Sequence, residues 1–249
     1  GVDVVKAGLC STPTTEMAVV FEQADGGIIL TASHNPKQWN ALKLLNEKGE
    51  FLNAEEGAAI LACAEAEDFN FADVDSLGVI EEKDFTDAHL DAVLELPAVD
   101  VEAVRKAGFK VALDAVNSVG GIIMPRLLQR LGVECICVNC EPTGQFAHNP
   151  EPLPANLTEL SDAVKVNNAD LGISVDPDVD RLALICEDGR PFGEEYTLVS
   201  VADYLFSRVY NEALETGKSM EEIAAPYQMT TSSNLSSSRA FLMSSISLF

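Results

Sequence analysis

Positive charge is scarce in this chain: 16 lysines and arginines face 40 aspartates and glutamates, a formal net charge of -24 over 249 residues. Such a surface repels polyphosphate backbones and anionic bilayers, so neither nucleic acid nor membrane is an expected partner. The same charge opposes any phosphorylated small ligand, which has to be met locally by a cation and a few placed basic groups. No apolar run reaches the length of a bilayer span and no charged-then-apolar leader opens the sequence, so the expected compartment is the cytoplasm. Cysteine is sparse as well. Cys10, Cys63, Cys135, Cys137, Cys140 and Cys186 are too scattered for the disulfide framework of a small secreted domain. Cys135-x-Cys137-x-x-Cys140 with His148 has the makings of a zinc cluster, but the preferred expectation is that Cys135 and Cys137 are buried hydrophobes on one strand. A GxGxxG fingerprint is also missing, since Gly120 and Gly121 do not supply one, and no dinucleotide site is expected.

What is present is apolar mass and two polar loops. Hydrophobic residues make up 47% of the chain, enough for one large or two ordinary domains. Gly26 to Leu30 reads as a buried strand running into Thr31-Ala32-Ser33-His34-Asn35-Pro36, a turn that Pro36 closes. Groups at the carboxyl end of a strand in an open α/β sheet face the ligand crevice, which places Ser33 and His34 for chemistry. A serine hydroxyl needs a base, a cation or helix-terminus amides to become a nucleophile.

The second loop, Asp176-Pro177-Asp178-Val179-Asp180-Arg181, follows another strand-like run, Leu171 to Val175. Three carboxylates at alternate positions offer hard oxygen ligands for Mg²⁺ without saturating it, leaving room for substrate or phosphate oxygens. Without a cation, like charges so close together raise one another's pKa. The EF-hand pattern is met at Asp176, Asp178, Asp180 and Glu187 but fails at its required glycine, where Arg181 stands. Leu182 to Cys186 also reads as a strand rather than a helix, so a calcium loop is excluded.

Along the chain, Gly1 to Lys6 predicts a strand, and the Thr12-Pro13-Thr14-Thr15 turn opens a helix through Ala24. Glu16 near its start suits the helix dipole. Asn53 with Glu56 predicts a capping box and a helix to about Phe69. Residues 70–98 are acidic and less regular, with His89 expected on the surface or at a rim, and Pro97 marks a boundary. Helix, strand, loop, helix, strand then follow through Val101–Lys106, Phe109–Leu113, Asp114–Gly121, Ile122–Leu131 and Val133–Val138, an order that implies a parallel sheet with right-handed crossovers. A Pro-rich loop, Glu141 to Pro154, and a helix from Leu157 to Asn167 lead to the aspartate loop. Tyr196 to Tyr210 is apolar at helical spacing.

The serine loop and the aspartate loop, in this order and separated by βα units, resemble the α-D-phosphohexomutase family of phosphoglucomutases, phosphomannomutases and phosphoglucosamine mutases. The resemblance continues at Thr12-Pro13-Thr14, at Lys43 and through Ala112 to Gly121. It implies an α/β fold of tandem three-layer α/β/α domains with mixed, mostly parallel sheets. Residues 1–98 would form a first domain, 99–190 a second, and 191–249 the beginning of a third with a non-matching tail from Phe241 to Phe249. It implies that Ser33 is a phosphoserine, that Ser33, Asp176, Asp178 and Asp180 hold Mg²⁺, and that Lys43 lies beside the phosphoserine. Lys43 and His34 become candidate proton carriers and Arg181 a phosphate ligand. His148 would lie near a domain interface, although a solvated turn explains it as well.

The implied reaction moves phosphate between the 1 and 6 positions of a hexose phosphate through a hexose bisphosphate. Thr31 to Phe51 is closest in character to bacterial phosphoglucosamine mutases; phosphoglucomutase or phosphomannomutase is the alternative. A phosphatase with a phosphoserine intermediate and an inactive fold remnant are rivals of other kinds. Inorganic phosphate released in excess of isomerisation marks the phosphatase, while the intact Ser33 and three aspartates weigh against the remnant. The resemblance also implies that the first domain's opening strand and the sugar-selecting and phosphate-clamping loops lie outside these residues, so this stretch alone is expected to sustain little isomerisation.

Overall fold

A computed structural model describes residues 1–35, 38–67 and 69–224. The tail from Phe241 to Phe249 and Pro36 lie outside the described residues. Strand β1 (Val4–Lys6) is followed by helix α1 (Thr12–Glu22), whose start is fixed by Ser11 accepting from the Thr14 amide. Pro13 sits in the first turn, where a missing N–H breaks no helical bond. β2 (Gly27–Thr31) and β3 (Ala41–Leu45) pair antiparallel, with Ile29 opposite Lys43 and Thr31 opposite Ala41. Alternation along β2 buries Ile29 against Val19 and Leu45 and turns Ile28 and Leu30 outward. α2 (Ala54–Glu65) opens with the expected capping box of Asn53 and Glu56. β4 (Ile80–Glu82) then returns to lie parallel to β1.

Beyond it come α3 (Thr86–Leu94), α4 (Val101–Ala107), β5 (Lys110–Asp114), α5 (Gly120–Arg130), β6 (Glu134–Val138), α6 (Thr158–Asn167), β7 (Leu171–Val175) and β8 (Leu182–Cys186). Their sheet has the order β6-β5-β7-β8, parallel except for β8. Parallel neighbours need crossovers, which α5 and α6 provide. Side-chain alternation on β5 divides the core. Val111 and Leu113 meet Ile123, Met124 and Leu127 of α5, with Leu90 and Val93 of α3 in the same cluster. Ala112 on the other face meets Leu160 and Val164 of α6. Helix, sheet and helix thus form three layers, as expected. Each fully buried leucine contributes roughly 2 kcal/mol from loss of water contact. α6 closes down on the sheet because Gly172 has no side chain: a Cβ there would lie 2.8 Å from Val164 Cγ2 and 2.9 Å from Ile185 Cβ. α7 (Glu194–Thr216) and α8 (Met220–Ala224) complete the described chain.

Two expectations need correction. His89 is not at the surface: it is fully buried, with Nδ1 2.8 Å from Thr14 Oγ1. Helical spacing places it on the face of Val93, which packs inward, so α3 carries it into the seam against α1. Cys135 is only partly buried and Cys137 is exposed, because β6 is an edge strand of the sheet. Their sulfurs lie 3.7 Å apart. Among the described residues the one grouping of side chains suited to a metal is Asp176, Asp178 and Asp180, so the cysteines and His148 do not assemble a zinc site.

Candidate active site

The serine loop leaves β2 at Thr31 in a tight turn. Thr31 Oγ1 accepts from the Ser33 amide at 2.9 Å, and the Asn35 amide donates to the Ala32 carbonyl at 3.0 Å. Ser33 takes the left-handed conformation at φ 49°, unusual for a residue with a Cβ. Backbone strain of this kind, about 1 kcal/mol or more, persists where surrounding contacts over-determine it. Here they aim the hydroxyl at the second sheet: Ser33 Oγ donates to Asp176 Oδ2 at 3.0 Å, and His34 Nδ1 lies 3.3 Å from Ser33 Oγ.

The aspartate loop is the connection between antiparallel β7 and β8. Asp176 organises it, its Oδ1 accepting from the amides of Asp180 and Arg181 at 3.0 and 3.2 Å. Val179 is fully buried and also left-handed, at φ 63°, held there by the core against a strong β-branched preference. One oxygen from each of Asp176, Asp178 and Asp180 lies within 4.8 Å of the others. Lys43, carried across by β3, places Nζ 2.6 Å from Asp178 Oδ2 and 2.7 Å from Asp180 Oδ2. Thr12 Oγ1 also donates to Asp178 Oδ2, at 2.7 Å.

The electrostatics follow from this crowding. Burial first, then the charges of Asp178 and Asp180, push the Asp176 carboxyl up to about 7. Burial raises Asp178 too, but the bonds from Lys43 and Thr12 outweigh it and hold Asp178 below the usual range. For Lys43 burial favours the neutral amine, yet its two aspartate partners prevail and keep it more basic than usual. Asp178 Oδ1 is buried with no hydrogen-bond partner. Hard oxygen donors, an unpaired buried acceptor and mutual repulsion are what a hard divalent cation relieves, so the residues present fit one.

Of the residues singled out from sequence, Ser33, His34, Lys43, Asp176, Asp178 and Asp180 converge. Arg181 joins through its amide only; its guanidinium lies 3.6 Å from the Glu151 carboxylate. His148 stands apart, with Nε2 2.9 Å from Asp114 Oδ2. Two contributors carried no local signal. Thr12 reaches Asp178 only through the tertiary fold. Glu16, read from sequence only as suiting the dipole of α1, is buried near Lys43, Asp180 and Asp178. Burial pushes its carboxyl up to about 8.

Fold and site together define a two-unit α/β protein in which one unit presents a serine and a lysine to an aspartate loop of the next. Residues 1–71 match domain I and residues 87–189 match domain II of the phosphoglucomutase/phosphomannomutase alpha/beta/alpha family. The chain belongs to that family. It is 37% identical over 204 residues to a phosphoglucomutase/phosphomannomutase of Thermococcus kodakarensis, covering 82% of this chain and 44% of that protein. It is also 37% identical over 191 residues to a "Probable phosphoglucosamine mutase" of Methanococcoides burtonii, covering 76% and 42%. A crystal structure of a phosphoglucomutase/phosphomannomutase family protein from Burkholderia thailandensis superposes with a TM-score of 0.68 at 26% identity, covering 84% of this chain and 45% of that one. The chain therefore spans less than half the length of these relatives. No described helix is long and apolar enough to cross a membrane.

Proposed function

We propose that this chain carries the phosphoserine and metal-binding units of a phosphohexomutase. The observation that supports this most is the approach of Ser33 Oγ to Asp176 across 143 residues of sequence, at 3.0 Å, inside a carboxylate cluster bridged by Lys43. In the proposed reaction phospho-Ser33 gives its phosphoryl group to a hydroxyl of a hexose phosphate. The bond from phosphorus to Ser33 Oγ breaks, one to the sugar oxygen forms, and the hydroxyl proton leaves to a nearby base. The resulting hexose bisphosphate turns over and returns its other phosphoryl group to Ser33. His34 and Lys43 are the candidate proton carriers; Lys43, protonated among its aspartates, is suited to returning the proton. Arg181 forms a planar fork for phosphate once its guanidinium exchanges Glu151 for it. Asp176, Asp178 and Asp180, with an oxygen on Ser33, would hold Mg²⁺, which when bound would supply charge neutralisation for the loose transition state.

Among hexose phosphates we favour glucosamine phosphate. The name of the M. burtonii relative supports it, while the T. kodakarensis relative, at the same identity, supports a glucose or mannose phosphate. We infer a cytoplasmic setting, since such anionic sugars do not cross bilayers unaided. The test is intact mass and fragmentation after incubation with a hexose 1,6-bisphosphate. A single phosphoryl group on Ser33, absent from Ser33→Ala, is expected. Phosphate on Ser118 or Ser174, with none on Ser33, overturns the proposal.

A further inference from the structure

The start of α1 does something its helical role does not require. Its Thr12 amide donates to the Asp178 carbonyl at 2.8 Å and its Thr12 hydroxyl to Asp178 Oδ2 at 2.7 Å. Residues 166 apart in sequence are thereby fastened by one backbone and one side-chain bond. Thr12 is 1% exposed and Asp178 4%, so water does not compete for either bond. An unpaired first-turn amide is a normal feature of a helix; here it is spent on the metal loop.

Thr12 is itself braced. Ser11 Oγ accepts from the Thr14 amide at 3.2 Å and shares a 2.7 Å hydrogen bond with Thr14 Oγ1, which meets His89 Nδ1 at 2.8 Å. Pro13 fixes the backbone between these residues. Ser11, Thr14 and His89 are all buried, so this chain of bonds ties the turn to α3 from behind. The outcome at Asp178 is an asymmetry. Oδ2 takes both Thr12 and Lys43, while Oδ1 is buried and takes nothing.

We propose that Thr12 is a positioning residue for the metal centre: by binding one oxygen of Asp178 and the carbonyl of the same residue, it presents the other oxygen to the cation and sets the first unit's distance from the aspartate loop. This rests on the proposed role of the three aspartates as metal ligands. Ligating carboxylates are commonly oriented by such hydrogen bonds, and losing one costs about 10- to 100-fold in metal affinity.

The experiment is calorimetric titration of Mg²⁺ into the 249-residue chain, its Thr12→Val, Thr12→Ser and Asp178→Asn variants, and the Thr12→Val/Asp178→Asn double variant. Valine keeps the shape and removes the hydroxyl; serine keeps the hydroxyl. Thr12→Val is expected to weaken Mg²⁺ about tenfold, Thr12→Ser to stay within about twofold, and Thr12→Val to add little in the Asp178→Asn background. Should Thr12→Val not fold, as judged by circular dichroism, Thr12→Ala removes the same hydroxyl without the second methyl and is read in its place. Asp178→Asn weakening Mg²⁺ while Thr12→Val leaves it unchanged refutes the positioning role and spares the metal site. A Thr12→Val loss that persists undiminished in the Asp178→Asn background also refutes it, because the effect then does not run through Asp178. Mg²⁺ binding unaltered by Asp178→Asn overturns the metal-site reading and this proposal together.

Discussion

Replacing His89 by asparagine removes a titrating group from the seam between α1 and α3 while leaving an amide near the position of Nδ1. His89 is fully buried, makes one hydrogen bond, and has no partner at Nε2. Burial alone drives its pKa down from 6.5 to about 4. In the unfolded chain the imidazole takes up a proton near 6.5; in the folded chain it does so only near 4. Between those values the unfolded state binds more protons, so acidification favours it. The contribution is fully present above the unfolded value and is lost as the pH falls toward the folded one. The gap is worth about 3 kcal/mol, a large share of an ordinary domain's stability. Asp176 and Glu16 act in the opposite sense, since their raised pKa values, about 7 and about 8, cost stability as the pH rises through them. Both carboxyls are common to the two proteins and cancel in the difference. Urea unfolding from about pH 8 to about pH 4, without divalent cation, gives that difference. His89→Asn is expected to be less stable at the alkaline end, and the two proteins should converge by about 3 kcal/mol on acidification. Parallel curves would show that His89 is not buried neutral.

Two further outcomes follow from contacts already described. Lys43 occupies the carboxylates proposed for the cation, so Lys43→Met should tighten Mg²⁺ binding roughly tenfold while slowing phosphoryl transfer to Ser33. Calorimetry and intact mass give both numbers, and weaker binding in the variant would contradict the competition. Gly172→Ala forces a methyl between Val164 and Ile185 and should cost about 1–3 kcal/mol in urea unfolding. A neutral result would mean that α6 is free to back away from the sheet.

The sequence made the strands legible where apolar runs end in polar turns. Val133–Val138, Leu171–Val175 and Leu182–Cys186 contain or coincide with observed strands, and Phe109–Leu113 lies one residue ahead of the observed Lys110–Asp114. The aspartate loop was equally legible, because three acids at alternate positions are a local pattern with a chemical meaning. Nothing local joined Ser33 to Asp176 or Lys43 to Asp180; those meetings depend on how two units dock. Likeness to a family anticipated the first and put Lys43 beside Ser33, but not the pairing of Lys43 with Asp180. His89 was misplaced although a signal existed. It lies four residues before Val93, on the face that packs inward, and a polar residue on such a face is buried with it. Cys137 erred the other way. Alternation told which side of β6 it shares with Cys135, but not that β6 is the last strand of its sheet. Thr12 entered only within a stretch resembling the family, and the meeting of Thr12 and Glu16 with the site was not legible, because a helix start and a helical glutamate look the same whether they face solvent or the aspartate loop.

Local charge explains why the proposed chemistry needs a divalent cation in so acidic a chain. Around Ser33 stand Asp176, Asp178 and Asp180 with Lys43, and Arg181 is already engaged by Glu151. With every carboxyl ionised that neighbourhood is negative before any phosphate arrives, and those charges add to burial in raising the Asp176 pKa. A phosphoryl group on Ser33 adds nearly two more negative charges, and a sugar phosphate adds its own. Lys43 cannot answer both, since its one charge is divided between two aspartates. Two positive charges at the aspartates would free Lys43 to turn toward the phosphoryl oxygens, the position in which a lysine helps transfer. On the proposed function the lysine and the cation would be alternatives at the carboxylates and partners at the phosphate, and exchange between those arrangements would link the two units of the chain.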